Sequence, residues 1–181
     1  MALYPETTAY INGEKLDKTL ERIAGEINRD YQDKNPLVIG VLVGSFIFLA
    51  DLVRKLNMPL DIEFVRLCSY GSGTESSGDV RMVLEPRASV KGRDILVVED
   101  IIDTGYSLSF LLKYLENLQP ASVKLCVLMD KPSRRKVDVK IDYVGFTVPD
   151  EFLVGYGLDC NSKYRNIPEI CLLSDTKSEP K

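Results

Sequence analysis

VVEDIIDTGYS, residues 97–107, drives an apolar run into three acids, Glu99, Asp100 and Asp103, and then straight into a Thr-Gly-Tyr-Ser turn. Extended backwards, the run reads DILVVED (94–100), a short continuous apolar stretch of the kind that forms a strand buried on both faces. Forwards, SLSFLLKYLENLQ (107–119) has the length and spacing of a helix and is closed by Pro120. The same grammar appears twice more. PLVIGVLVG (36–44) is a second buried-strand run, followed by SFIFLADLVRKLN (45–57), a helix that opens on Ser45, a residue type that suits an N-cap. ASVKLCVLMD (121–130) is a third. Strands and helices alternating at these lengths predict an α/β protein with a mainly parallel sheet flanked by helices.

Around this frame, apolar residues at Leu16, Leu20, Ile23, Ala24, Ile27 and Tyr31 predict an amphipathic helix from Glu14 to Asp33. LDIEFVRLCSY (60–70) is rich in β-formers, GSGTESSGD (71–79) reads as a polar, mobile loop, and VRMVLE (80–85) reads as a strand returning from it. Beyond Asp142 the chain breaks into short apolar pieces separated by Gly, Pro and Asn, which predicts a β-rich flap up to Leu173. SDTKSEPK (174–181) is a tail expected to be flexible.

The chain has 181 residues, of which 45% are hydrophobic, enough to fill the core of one domain. A net charge of −4 argues against broad neutralisation of nucleic-acid phosphates. The four cysteines, Cys68, Cys126, Cys160 and Cys171, show no C-x-x-C pairing and are expected to be reduced core residues. No run is long and apolar enough for a membrane helix, and MALYPETTAY lacks the regions of a signal peptide, so a soluble cytoplasmic protein is expected. There is no histidine. Ser-His-Asp and Cys-His systems and H-E-x-x-H zinc sites are therefore excluded, and any proton acceptor working near neutral pH must be a carboxylate, Lys, Tyr or Cys.

In an open α/β sheet, ligands bind outside the carboxyl ends of the strands, where Glu99 and Asp100 lie. The connection Asp103-Thr104-Gly105-Tyr106-Ser107 enters a helix whose first amides and dipole can hold a phosphate, with the hydroxyls of Thr104 and Ser107 as added donors. Carboxylates for sugar hydroxyls beside a nest for a phosphate fit a sugar phosphate. The familiar phosphate loops are missing: there is no G-x-x-x-x-G-K-[ST], and GSGTESSG has the wrong glycine spacing for a dinucleotide fingerprint.

VVEDIIDTGYS closely resembles the phosphoribosyl pyrophosphate motif of type I phosphoribosyltransferases. The likeness spans about residues 36–173, through VLVGSFIFLADL, SYGSGTESSGD, LMDKPSRR and VGFTVPDEFLVGYGLDCNSKYRNIPEI. The Asp-x-Phe-x-x-Gly-Tyr run points to the 6-oxopurine branch, the hypoxanthine-guanine phosphoribosyltransferases. The resemblance implies a single domain over residues 1–173, with a core at about 14–141 and a small β-rich hood, at 142–173 together with N-terminal residues, over the site. It implies Mg²⁺-dependent transfer of ribose 5-phosphate from phosphoribosyl pyrophosphate to N9 of hypoxanthine or guanine. Glu99 and Asp100 would face the ribose, Thr104, Gly105, Tyr106 and Ser107 would hold its 5-phosphate, and Asp103 would be the general base at N7. Neighbouring acids would raise Asp103 towards the range useful for taking a proton.

The same resemblance gives Lys131 the purine 6-oxo group, which a donor without acceptor capacity suits. Phe152 would stack on the base and the Leu153 backbone would meet its Watson-Crick edge. Asp159, with Glu99 and Asp100, would serve the metal, Arg165 would contact pyrophosphate, and Ser69 and Tyr70 would begin a lid. Val43 and Gly44 fall in the pyrophosphate loop, where the family often has Lys in place of Val43, so contact there would run through backbone N–H groups, with an unusual cis peptide between Leu42 and Val43 as one way to present them. Dimers or tetramers are implied. The alternatives are a xanthine-preferring transferase and an RNA-binding regulator on the same fold.

Overall fold

The computed structural model describes residues 4, 6–69 and 80–174. Among these, six strands form one sheet in the order β4-β3-β2-β5-β6-β7: β2 (Leu37–Leu42), β3 (Asp61–Ser69), β4 (Val80–Leu84), β5 (Asp94–Ile102), β6 (Ser122–Asp130) and β7 (Tyr143–Thr147). All neighbours are parallel except β3 with β4. Burial on both faces explains the unbroken apolar runs: Ile95 to Val98 and Leu125 to Met129 are all buried.

Helix α1 (Gly13–Asp30) lays Leu16, Leu20, Ile23, Ala24 and Ile27 on one face of the sheet, together with α2 (Phe46–Val53). Helix α3 (Tyr106–Asn117) covers the other face with Leu108, Leu111 and Leu115. Asn12 caps α1, its Oδ1 accepting from the Lys15 amide at 3.0 Å. A smaller antiparallel sheet, in the order β1-β9-β8, forms the hood from β1 (Thr7–Ile11), β8 (Leu153–Val154) and β9 (Ile170–Leu173). Among the described residues no helix is long and apolar enough to cross a membrane.

Several details differ from the sequence reading. Tyr143–Thr147, assigned to the hood, pairs with β6 in the main sheet, because its apolar alternation is satisfied by the core rather than by the flap. Ser45 is no side-chain cap: its backbone is already helical, and its buried hydroxyl donates back to the Val41 carbonyl at 2.6 Å. Cys126 and Cys171 are buried as expected, but Cys68 is exposed near the end of β3, opposite Arg81 of the edge strand β4. Tyr70, the 71–79 loop and residues 175–181 lie outside the described residues. Ser69 ends β3.

Candidate active site

The chain leaves β5 at Ile102 and enters α3 at Tyr106 through Gly105, whose φ of +90° is a backbone conformation that side chains resist. A Cβ there would also stand 2.7 Å from the Val137 carbonyl. The first amides of α3 have no preceding turn to bond to and are presented to the space in front of them. The loop is clasped from one side: the Lys136 and Val137 amides donate to the Thr104 carbonyl at 2.9 and 3.1 Å, and Arg135 Nε donates to the Asp103 carbonyl at 3.0 Å.

In front of these amides lies a cavity of about 320 Å³. Val43, Gly44, Glu99, Asp100, Asp103, Thr104, Gly105, Ser107, Asp159 and Arg165 all line it, so ten positions read from three distant parts of the sequence share one space. Tyr106 opens α3 beside them but is not in the wall. Larger hollows exist, including one of about 660 Å³ between α1, α2 and the hood, but they lie away from this acidic strand end.

The 42–44 segment is built on close approach. The Leu42–Val43 peptide is cis. A Cβ on Gly44 would fall 1.6 Å from Asp100 Oδ2, and a Cβ on Gly157, at φ +101°, would fall 2.1 Å from the Gly44 carbonyl oxygen. Gly44 is thus pressed between the Asp100 carboxylate and the hood backbone, a contact that brings Asp159 and Arg165 to the cavity. Arg165 pairs with Asp159 Oδ1 at 2.6 Å and donates to the Gly157 carbonyl at 2.5 Å.

Glu99 and Asp100 are buried side by side. Burial, and then the charge of Asp100, push the Glu99 carboxyl well above the usual range. Burial also raises Asp100, against the opposing hydrogen bonds from Glu99 and the Ile101 amide and the charge of Arg165. An acid raised in the folded state contributes stability that is present below its unfolded pKa of about 4 and is lost as pH rises through the folded value. Glu99→Gln, nearly isosteric, should therefore stabilise the protein at neutral pH without divalent cation, by on the order of 1 kcal/mol or roughly 2–4 °C in Tm, and flatten the decline of stability with rising pH. Thermal unfolding of both proteins from pH 5 to 8 checks this; a lower Tm for the variant would contradict it.

Glu99, Asp100 and Asp159 supply hard carboxylate oxygens on one cavity, which suits Mg²⁺. Among the described residues, however, no group of three acids stands close enough to cage a metal, and the Ser162 amide and Arg165 occupy Asp159. The walls fit a cation that draws most of its oxygen shell from a phosphorylated ligand and water.

Asp103 does not have the surroundings expected of it. The charged group against it is Arg134, whose Nε lies 2.9 Å from Oδ1, while the acidic neighbourhood belongs to Glu99 and Asp100. The approach is off the line of a hydrogen bond, and Oδ1 is buried with no hydrogen-bond partner among the described residues.

Lys131, Phe152 and Leu153 lie outside the cavity wall and form a second cluster. Lys131 is buried, and its ammonium donates to the Glu151 carbonyl at 2.8 Å. Phe152 is 55% exposed, an apolar ring left open to a flat partner. Leu153 faces Leu172 across the ladder, with the Leu173 amide on the Phe152 carbonyl at 3.0 Å. This is the geometry of a non-hydrogen-bonded pair, so the Leu153 N–H and C=O point out from the free edge of β8. Arg134, Arg135 and Asp150 were not read as site residues from sequence. The signal for the two arginines was the basic run KPSRRK that opens on Lys131, indistinguishable there from a solvated patch, and Asp150 carried no signal of its own.

A strand-end turn of open helix amides with an acidic pair beside it can hold a sugar phosphate. The family model for the phosphoribosyl transferase domain matches residues 6–161, and the chain belongs to this family. Within it, the chain is 46% identical over 163 residues to the hypoxanthine-guanine phosphoribosyltransferase of Bacillus subtilis, covering 90% of this chain and 91% of that protein. Its fold matches the crystal structure of a hypoxanthine-guanine phosphoribosyltransferase from Bacillus anthracis at a TM-score of 0.88 and 44% identity, covering 91% of this chain and 97% of that one. It is also 45% identical to the bifunctional protein TilS/HprT of Listeria monocytogenes, of whose length it spans a quarter.

Proposed function

We propose that this chain salvages purines by transferring the 5-phosphoribosyl group of phosphoribosyl pyrophosphate to N9 of hypoxanthine or guanine. The observation that carries the reading is the single cavity shared by the α3 turn, the Glu99–Asp100 pair and the Asp159–Arg165 pair. The amides of Gly105 to Ser107 and the hydroxyls of Thr104 and Ser107 hold the 5-phosphate. Glu99 and Asp100 face the ribose, whose ring gains positive charge as the bond from C1′ to pyrophosphate breaks and the bond to N9 forms. The proton on N7 of the base passes to Asp103. Val43 and Gly44, through their backbone, and Arg165 hold pyrophosphate. Asp159, Glu99 and Asp100 would offer carboxylate oxygens to a Mg²⁺ ion that takes the rest of its shell from the ligand and water, and such an ion would supply charge neutralisation to the leaving pyrophosphate.

Phe152 stacks on the base, the Leu153 backbone meets its Watson-Crick edge, and Lys131 exchanges the Glu151 carbonyl for the purine 6-oxo group. Self-association is part of the proposal and is read by sedimentation.

The test is incubation with Mg²⁺, phosphoribosyl pyrophosphate and each of hypoxanthine, guanine, xanthine and adenine, with identification of products. IMP and GMP are expected; no nucleotide, or AMP alone, would sink the reading. Lys131→Gln replaces a pure donor by a group that can also accept, so KM for hypoxanthine should rise by about tenfold or more while the preference over adenine narrows. Steady-state kinetics with both bases checks this.

A further inference from the structure

We propose that Arg134 is a positioning residue that sets the orientation of the Asp103 carboxylate and is itself anchored from the hood by Asp150. The proposal rests on the transferase reading above. A carboxylate turns easily about its last bond, so an aspartate that must take a proton at a fixed place needs something to hold its plane. At Asp103 no hydrogen bond does so among the described residues: Oδ1 is buried and unbonded, with only the Arg134 guanidinium against it at 2.9 Å. The side chain as a whole is nevertheless 41% exposed, so its open part lies away from Oδ1. Turning the carboxylate would draw its inner oxygen off the cation. Arg134 thus keeps Oδ1 inward and leaves Oδ2 to the substrate.

Arg134 ends the short 3-10 turn Pro132–Arg134 that begins directly after Lys131. Its Nη1 stands 3.5 Å from Asp150 Oδ1, and that same oxygen stands 3.9 Å from Lys131 Nζ. The hood segment 150–151 therefore holds both cations of the turn, Arg134 through Asp150 and Lys131 through the Glu151 carbonyl. The position of the hood, the lysine assigned to the base and the orientation of Asp103 are joined through one chain of charges. The backbone of the Asp103 loop is secured separately, by Arg135 and by the amides of Lys136 and Val137. Removing the Arg134 side chain accordingly frees the carboxylate and leaves the loop in place.

The experiment compares wild type, Arg134→Gln, Arg134→Lys, Asp150→Asn and the double variant Arg134→Gln/Asp150→Asn in Tm, kcat and KM for both substrates. Arg134→Gln should lower kcat roughly tenfold, part of the 10²–10⁴ that a positioned acid–base group supplies, with KM for phosphoribosyl pyrophosphate within about twofold and Tm within about 2 °C. Arg134→Lys, which keeps the cation, should recover much of the loss. Asp150→Asn should cost less, and the double variant should lose no more kcat than Arg134→Gln alone, because Asp150 acts on the reaction through Arg134. An active wild type with unchanged kcat in Arg134→Gln overturns the proposal alone. So does a parallel fall in Tm with a rise in KM for phosphoribosyl pyrophosphate, which would mark a purely structural arginine. A wild type that forms no nucleotide overturns the transferase reading and this proposal with it.

Discussion

Asp103→Asn should fold as the parent does, bind phosphoribosyl pyrophosphate with KM changed by no more than about threefold, and lose about 10²- to 10⁴-fold in kcat, the range that general acid–base catalysis supplies. The side chain can be changed without unravelling the loop, since what the loop hydrogen-bonds is the Asp103 carbonyl, held by Arg135, and not the carboxylate. Asparagine keeps the size and an oxygen acceptor but cannot take a proton. With no histidine in the chain, no imidazole is available to stand in. Steady-state kinetics with both substrates, together with a thermal melt, separates the possibilities: unchanged kcat would remove Asp103 from the proton's path, whereas a large rise in KM for phosphoribosyl pyrophosphate would recast it as a binding group.

Gly44→Ala is the second large effect, and it acts through shape. The added methyl would fall 1.6 Å from Asp100 Oδ2, far inside contact distance. Asp100 cannot yield freely: it is buried, and its other oxygen accepts from the Ile101 amide at 2.7 Å. The 42–44 segment cannot retreat freely either, because Gly157 of the hood backs onto the Gly44 carbonyl. Either the acid leaves its place in the cavity wall or the loop shifts by an ångström or so. Misplacement on that scale costs about 10²-fold in kcat/KM, and the loss should show mainly as a higher KM for phosphoribosyl pyrophosphate. The purine KM should move far less, since Lys131, Phe152 and Leu153 lie outside this wall. A Gly44→Ala enzyme with parental kcat/KM would mean that the Asp100–Gly44 contact has no part in holding the ligand.

Both predictions turn on features of different legibility. Asp103 was visible in the chain because a strand, its acids and a helix-opening turn are consecutive residues, and their spacing alone brings them to one strand end. The pressure on Gly44 was not. It arises from Asp100, 56 residues on, and from Gly157, 113 residues on, and nothing in VLVGSF reports either neighbour. Ser45 shows the same limit at short range: its residue type suits a cap, yet the tight turn out of β2 had already made its backbone helical and sent its hydroxyl to Val41. Tyr143–Thr147 has the alternation of any half-buried strand, and only pairing with β6 gives it to the core rather than to the hood.

The amino-acid order by itself determined the alternation of buried strands and amphipathic helices, the acidic end of the 94–100 strand, the glycine turn into a helix after it and the absence of any imidazole chemistry. These are local properties: side-chain volume, hydrophobic period and backbone freedom act over a few residues and survive whatever the rest of the chain does. Tertiary structure alone decided that Arg134 rather than another acid faces Asp103, that Asp150 reaches back from the hood to that arginine, and that Asp159 and Arg165 share a cavity with Glu99. The reason is that the effect of a charge depends on distance and burial, and those are set by how the hood and the sheet close on each other, not by the order in which the residues occur.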